Sequence, residues 1–301
     1  MRVAGLIFDD SRHYLDHLAP FCALLGAPLI CCEPEMADLA SRFYSDVETL
    51  LIPAAKLRLP RTTIACDPKP FLQAAFPGQS TNLLWLPHGN SDKGPSFEPL
   101  QGEIALVYGQ RMIDFMGEQN VFPKTIRVGN FRWEYYRSAV RHSEAKTFLY
   151  APTWDQSNTF WKALPLLADR LPADCRLWVK LHPNTLREFA PEVERMIGRY
   201  ARANLQFLPN DPPIYPLLAQ SSAYIGDMSS IGYDFLTLNR PMYFLNANPH
   251  LPLHRCGMAI DPAQFDFALQ NPCAEAQKQL YAYTFSKEAL WKEEINALCS
   301  L

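Results

Sequence analysis

At 301 residues the chain is long for one hydrophobic core and comfortable for two domains of about 150 residues each. Its net charge of −3 and the lack of any basic run argue against a nucleic-acid-binding surface, which declares itself as clustered Lys and Arg. No apolar stretch approaches the roughly 18 residues of a membrane span, and the opening decapeptide passes straight into a strand-like run without a leader pattern, so the expected location is cytoplasmic.

In chain order, strand-like apolar runs occupy residues 3–8, 28–32, 62–66, 82–86, 104–108 and 125–128, with helical patterns between several of them, as at 14–25. After residues 142–146 the rhythm restarts. Strands are predicted at 147–150, 176–181, 205–208, 223–225 and 242–245, helices at 159–171, 186–203 and 214–220, and a last amphipathic stretch at 287–298. Alternation of this kind means parallel sheets with helices on both faces. The expected fold class is therefore α/β, with two facing Rossmann-like domains and an interdomain cleft. The first spans residues 1–140 on the acceptor side, the second 146–285 on the nucleotide-donor side, and a terminal helix at 286–301 is placed to cross back onto the first.

The 26 prolines fall mostly at strand exits and loop starts. Of the eight cysteines, Cys22, Cys31, Cys32, Cys66 and Cys175 lie in or beside apolar runs with no Cys-x-x-Cys spacing, and read as reduced, buried thiols. His-Glu-x-x-His, paired Cys and Asp-x-Asp patterns are missing, so no metal or cofactor is predicted.

Residues 223–245 carry the most information, reading as strand, hydroxyl-bearing turn, helix and strand. Ser229 and Ser230 stand where an N-cap belongs, Ile231, Phe235 and Leu238 recur at helical spacing, and Asn239 and Pro241 end the helix. Such a turn offers backbone N–H groups, hydroxyls and a positive dipole end to an anion at the carboxyl end of a strand. Plain capping is the simpler reading of the same residues. Two further strands end in polar groups that include a histidine: Asn82-Leu-Leu-Trp-Leu-Pro-His88-Gly89-Asn90-Ser-Asp-Lys93 and Cys175-Arg-Leu-Trp-Val-Lys180-Leu-His182-Pro-Asn184. Either histidine alone is as often structural as functional. Both together with the Ser-Ser turn are harder to read as structural.

With Phe148-Leu-Tyr-Ala-Pro-Thr153-Trp154 and Gly129-Asn-Phe131-Arg132 added, the set resembles the CDP-glycerol glycerophosphotransferase family of teichoic-acid-type polymerases and primases. That family's motifs run His-Gly-Thr-Pro-Leu-Lys, Gly-x-Pro-Arg, Ala-Pro-Thr-Trp-Arg, Lys-Leu-His-Pro and Asp-Tyr-Ser-Ser before a Phe-Asp-Phe helix, and all five have counterparts here in that order over residues 80–245. Asn90 stands for the family's Thr, Phe131 for its Pro and Asp155 for its Arg, and Phe285-Ser-Lys-Glu-Ala-Leu replaces its C-terminal Gly-Lys-x-x-x-Arg block.

The resemblance implies the GT-B arrangement and attack of an acceptor hydroxyl on the β-phosphorus of a CDP-linked alcohol. It implies His88 as general base, since imidazole has the unperturbed pKa suited to activating an alcohol. Gly89 would let backbone approach the substrate. Lys93 and Arg132 would meet phosphate, His182 would bind pyrophosphate, and Lys180, Thr153, Asp227, Ser229 and Ser230 would complete the donor side. Lys93 also reads as a solvated loop lysine, Arg132 as an interdomain salt bridge, and Asp227 and Asp234 as structural caps. The implied partners are CDP-glycerol or a related nucleotide donor and a polymer or glycolipid acceptor, with peripheral contact at the inner face of the membrane and no nucleic acid. A GT-B glycosyltransferase or capsule-type polymerase using a CMP- or UDP-sugar stays open as an alternative, as does a nucleotide-binding relative without transfer activity.

Overall fold

The computed structural model describes residues 2–92, 96–141 and 145–300; Lys93 lies outside them. The first half runs β1 (Val3–Ile7), α1 (Arg12–Leu25), β2 (Leu29–Cys31), α2 (Pro34–Phe43), β3 (Thr49–Leu51), β4 (Thr62–Ala65), α3 (Lys69–Ala75), β5 (Asn82–Trp85), β6 (Ile104–Val107), α4 (Gln110–Glu118), β7 (Lys124–Arg127) and α5 (Phe131–Tyr136). Its strands form one parallel sheet in the order β3-β2-β1-β4-β5-β6-β7. The inner strands are buried on both faces because helices cover both, as β1, β4 and β6 show.

The second half runs β8 (Lys146–Ala151), α6 (Phe160–Arg170), β9 (Cys175–Val179), α7 (Pro183–Glu188), α8 (Ala190–Tyr200), β10 (Leu205–Phe207), α9 (Tyr215–Gln220), β11 (Ala223–Gly226), α10 (Ser230–Phe235), β12 (Met242–Phe244), β13 (Met258–Ala259), α11 (Ala274–Thr284) and α12 (Trp291–Ser300). Its sheet is again parallel, ordered β10-β9-β8-β11-β12-β13. Phe148, Tyr150, Phe160, Leu164 and Leu177 lie at the centre of its core.

The chain divides into two compact units, one made of residues 1–90, 95–138 and 282–301, the other of 91–94 and 139–281. The C-terminal return is held within the first unit by specific contacts. Val128 and Lys287 form an antiparallel bridge, Glu288 N–H donates to Arg127 O at 2.9 Å, and Trp291 stacks on Phe21 at 5.4 Å.

The structure departs from the sequence expectation in one helix. Residues 186–203, expected as a single helix, are broken at Phe189, because Pro191 opens α8 and a proline disfavours helical geometry in the residue before it. All eight cysteines are free, and six are buried, including the five singled out by sequence. Among the described residues no helix is long and apolar enough to cross a membrane.

Gly129 makes the C-terminal return tight. Its φ of 67° is left-handed, and a Cβ there would sit 2.6 Å from the Cβ of Lys287. Gly129→Ala is therefore expected to destabilise the protein by about 1–3 kcal/mol, through backbone strain and overpacking. Chemical denaturation checks this; an unchanged midpoint would mean that the returning segment yields freely.

Candidate active site

In doubly wound sheets ligands settle outside the carboxyl ends of strands where the strand order reverses. In the second unit this switch point lies between β8 and β11, and the turns following these strands hold Thr153, Trp154, Asp155, Asp227, Ser229 and Ser230. Asp227, fully buried at 0% exposure, ties the two turns together. Its Oδ1 accepts from Thr153 N at 2.7 Å, and its Oδ2 accepts from Thr159 N at 3.1 Å and Thr159 Oγ1 at 2.9 Å. Both Asp227 side-chain oxygens are thus engaged in shaping the turn, the structural role that the sequence also offered.

His254, not identified from sequence, braces the same turn. Its Nδ1 accepts from Asn248 N at 2.8 Å, which leaves the proton on Nε2 to donate to Asp227 O at 3.1 Å. Burial lowers its pKa, in keeping with this neutral form.

Ser229 is the N-cap of α10, with extended backbone and Oγ accepting from Ile231 N at 3.4 Å. It and Ser230 are half-buried, so both keep surface toward solvent. Thr153 is buried. Asp155, where the family pattern has Arg, forms a local turn by accepting from Ser157 N at 2.9 Å. Asp234 is buried and accepts from Tyr215 Oη at 3.4 Å.

At the end of β9, half-buried His182 caps α7 by accepting Asn184 N–H on Nδ1 at 3.1 Å. In the neutral ring this leaves Nε2 protonated as a donor. Trp154 lies beside it with ring centroids 5.8 Å apart. Lys180 is buried and turned toward the loop after β10, its Nζ donating to Asp211 O at 3.3 Å and Pro209 O at 3.5 Å. Asp92 belongs to this unit and accepts from the buried Tyr233 hydroxyl at 2.5 Å.

In the first unit His88 follows β5. Its ring keeps solvent-accessible surface and packs near His13 at 5.3 Å and Tyr14 at 5.1 Å between centroids. The surrounding protein nevertheless desolvates it, and with a smaller contribution from His13 this pushes its pKa down to about 4. It is therefore neutral at pH 7. Gly89 follows with φ 130°, a conformation that favours glycine. Asn90 is 1% exposed, and its amide has no hydrogen-bond partner among the described residues.

Below this loop lies a buried polar network that the sequence did not disclose. Asp16 of α1 accepts from Arg132 Nη1 at 3.0 Å, Tyr44 Oη at 3.0 Å and Tyr136 Oη at 2.6 Å. His17, one residue on, has Nδ1 2.7 Å from Tyr108 Oη, and the same hydroxyl donates to Pro87 O at 3.3 Å, just before His88. Burial, then Arg132, lowers the His17 pKa well below the usual imidazole range. Arg132 was expected to clamp phosphate or bridge domains. Its guanidinium is instead buried in an ion pair within one unit, where it locks α5 to α1.

Two wholly parallel doubly wound units, with polar strand ends at each switch point, make a fold of GT-B type. Residues 137–280, which form most of the second unit, match the family CDP-Glycerol:Poly(glycerophosphate) glycerophosphotransferase. Among solved structures it is similar to the wall teichoic acid polymerase TagF, at 14% identity over 99% of this chain and 88% of that one, TM-score 0.62. It is also similar to S. aureus MnaA with UDP, at 12% identity over 98% and 95%, TM-score 0.58. A glycosyltransferase from Rickettsia africae matches at 12% identity over 99% and 97%, TM-score 0.53. At such identities these likenesses show the fold. No curated protein sequence matches the chain.

Removing one partner from a buried ion pair strands the other charge. Arg132→Met is expected to cost about 3–5 kcal/mol of stability, while the folded fraction keeps its affinity for nucleotide. A stable variant that binds CDP-glycerol tenfold more weakly would return Arg132 to the phosphate.

Proposed function

We propose that the chain transfers glycerol phosphate from CDP-glycerol to an acceptor hydroxyl, with release of CMP. One observation carries this reading: the β8 and β11 turns and His182 all fall within the segment that matches the glycerophosphotransferase family. The acceptor oxygen bonds to the phosphorus that bears glycerol. The bond from that phosphorus to the bridging oxygen breaks, and CMP departs with that oxygen. The acceptor proton passes to the His88 imidazole.

A base with a pKa of about 4 is always free to accept a proton at pH 7 but is intrinsically weak. The negative charge of the donor pyrophosphate supplies what is lacking, because an anion near an imidazole stabilises its protonated form. In this reading His182 donates Nε2–H to the pyrophosphate, while Thr153, Ser229 and Ser230 offer hydroxyl or backbone donors. Each such donor, if it strengthens in the transition state, is worth on the order of 3 kcal/mol. Gly89 gives the backbone room to approach the substrate, and Lys93 adds positive charge; Lys180 stays with the loop after β10. No metal is invoked. A polymer or glycolipid acceptor and peripheral attachment to the inner membrane face belong to the same proposal.

CMP release from CDP-glycerol in EDTA, with a glycerol-phosphate-bearing acceptor, provides the test. His88→Ala is expected to lower turnover by about a hundredfold or more with donor affinity nearly intact, the scale of lost general-base help. His182→Ala should weaken donor binding as well as turnover. Full CMP release by His88→Ala would remove the base assignment.

The Ser-Ser turn gives a separate prediction. Ser229→Ala/Ser230→Ala is expected to stay folded and bind CMP at least tenfold more weakly, about 1.4 kcal/mol. Unchanged CMP affinity with a lower Tm would leave these residues as caps alone.

Protonation gives a further check. In the free protein the His88 imidazole is expected to titrate near pH 4 by NMR, and bound CDP-glycerol should move that titration upward. A free-protein titration near 6.5 would contradict the desolvated setting.

A further inference from the structure

The switch point of the first unit lies between β1 and β4, and each of these strands is followed by an aspartate. Asp9 comes two residues after β1, and its Oδ1 accepts from Ser11 N at 3.1 Å. Asp67 comes two residues after β4 and is only 8% exposed. Its Oδ1 accepts from Tyr14 Oη at 3.3 Å, a long bond, while its Oδ2 is buried without a hydrogen-bond partner among the described residues. The Tyr14 ring in turn lies 5.1 Å from the His88 ring, centroid to centroid. A half-satisfied buried carboxylate, a tyrosine and the candidate base therefore meet at the end of three adjacent strands.

A buried carboxylate oxygen without a donor costs free energy of about 1–3 kcal/mol or more. Such a group persists where a ligand supplies the missing proton donor. The neighbouring Asp9 makes the position unfavourable for an anion, as its contribution to raising the Asp67 pKa to about 6, after that of burial, also shows. A neutral hydroxyl fits. The carboxylate turns about its last torsion at little cost, so either oxygen can be presented to a ligand.

We propose that Asp67 is the acceptor-side ligand of this protein, taking a hydrogen bond from a polyol hydroxyl adjacent to the one that His88 deprotonates. The ligand class is a glycerol-phosphate terminus, bound through its hydroxyls rather than its phosphate. This rests on the transfer reading above, in which His88 faces an acceptor alcohol. Tyr14 positions the carboxylate, and Asp9 keeps phosphate groups away from it.

The test uses the full chain in EDTA and glycerol 3-phosphate as probe, with binding followed by saturation-transfer NMR and CMP measured in parallel. Asp67→Asn keeps the shape of the side chain and is expected to bind glycerol 3-phosphate at least tenfold more weakly, with CMP affinity and Tm unchanged. If Asp67→Asn does not fold, Asp67→Glu, which keeps the charge but displaces it, is expected to show the same selective loss. Equal glycerol 3-phosphate binding by wild type and variant overturns the proposal. So does wild-type binding that inorganic phosphate alone abolishes at equal concentration, or no wild-type binding at all. Failure of the wild type to turn over CDP-glycerol would strike the transfer reading instead, because the binding measurement involves no chemistry.

Discussion

Every strand in each sheet runs parallel to its neighbours, so all the βα turns of a unit emerge at one edge. Turns at that edge are loops with backbone groups to satisfy, and they hold position only if something inside the protein fixes them. In the second unit a buried aspartate does this, and in the first a buried aspartate fixes the helices beside the turns. Asp227 draws the turns after β8 and β11 together through Thr153 and Thr159. Asp16 draws α5, Tyr44 and Tyr136 onto α1.

The energetics of these two residues suit them to fixing structure. A hydrogen bond to a charged group contributes about 1.5–3 kcal/mol, and a buried charge that loses its partners costs more than it ever contributed. For Asp16 burial is the largest influence and raises the pKa, with Arg132 next and opposing it, followed by Tyr136 and Tyr44. Groups held this firmly shape the turns around them. His88, His182, Ser229 and Ser230 keep solvent-accessible surface.

The inner strands and the turns after β5, β8, β9 and β11 were legible because each combines a short apolar run with Gly, Pro, His or hydroxyl residues at its exit. β3 was passed over although Leu50, Leu51 and Ile52 before Pro53 make such a run; the strand is short and partly exposed, and β13 is only two residues long. The break before α8 could have been read from Pro191 and was masked by the amphipathic pattern on either side. Arg132 shows the deeper limit. The motif marked the position, but whether a guanidinium meets phosphate or a buried carboxylate depends on Asp16, which is 116 residues away in sequence. His17 and Asp67 were missed for the same reason. His13 and His17 do stand four apart on one helix, a spacing visible in the sequence, yet only the packing against Tyr108 and His88 gives it meaning.

The central claim is that one phosphorus changes partners, from a nucleotide's bridging oxygen to an acceptor alcohol. Phosphorus-31 NMR of the protein with CDP-glycerol and a glycerol-phosphate acceptor in EDTA follows this directly. The account predicts that both pyrophosphate signals disappear while CMP and a new phosphodiester appear in equal amounts. Intact pyrophosphate signals under these conditions, or turnover of a UDP- or CMP-sugar in place of CDP-glycerol, would contradict it.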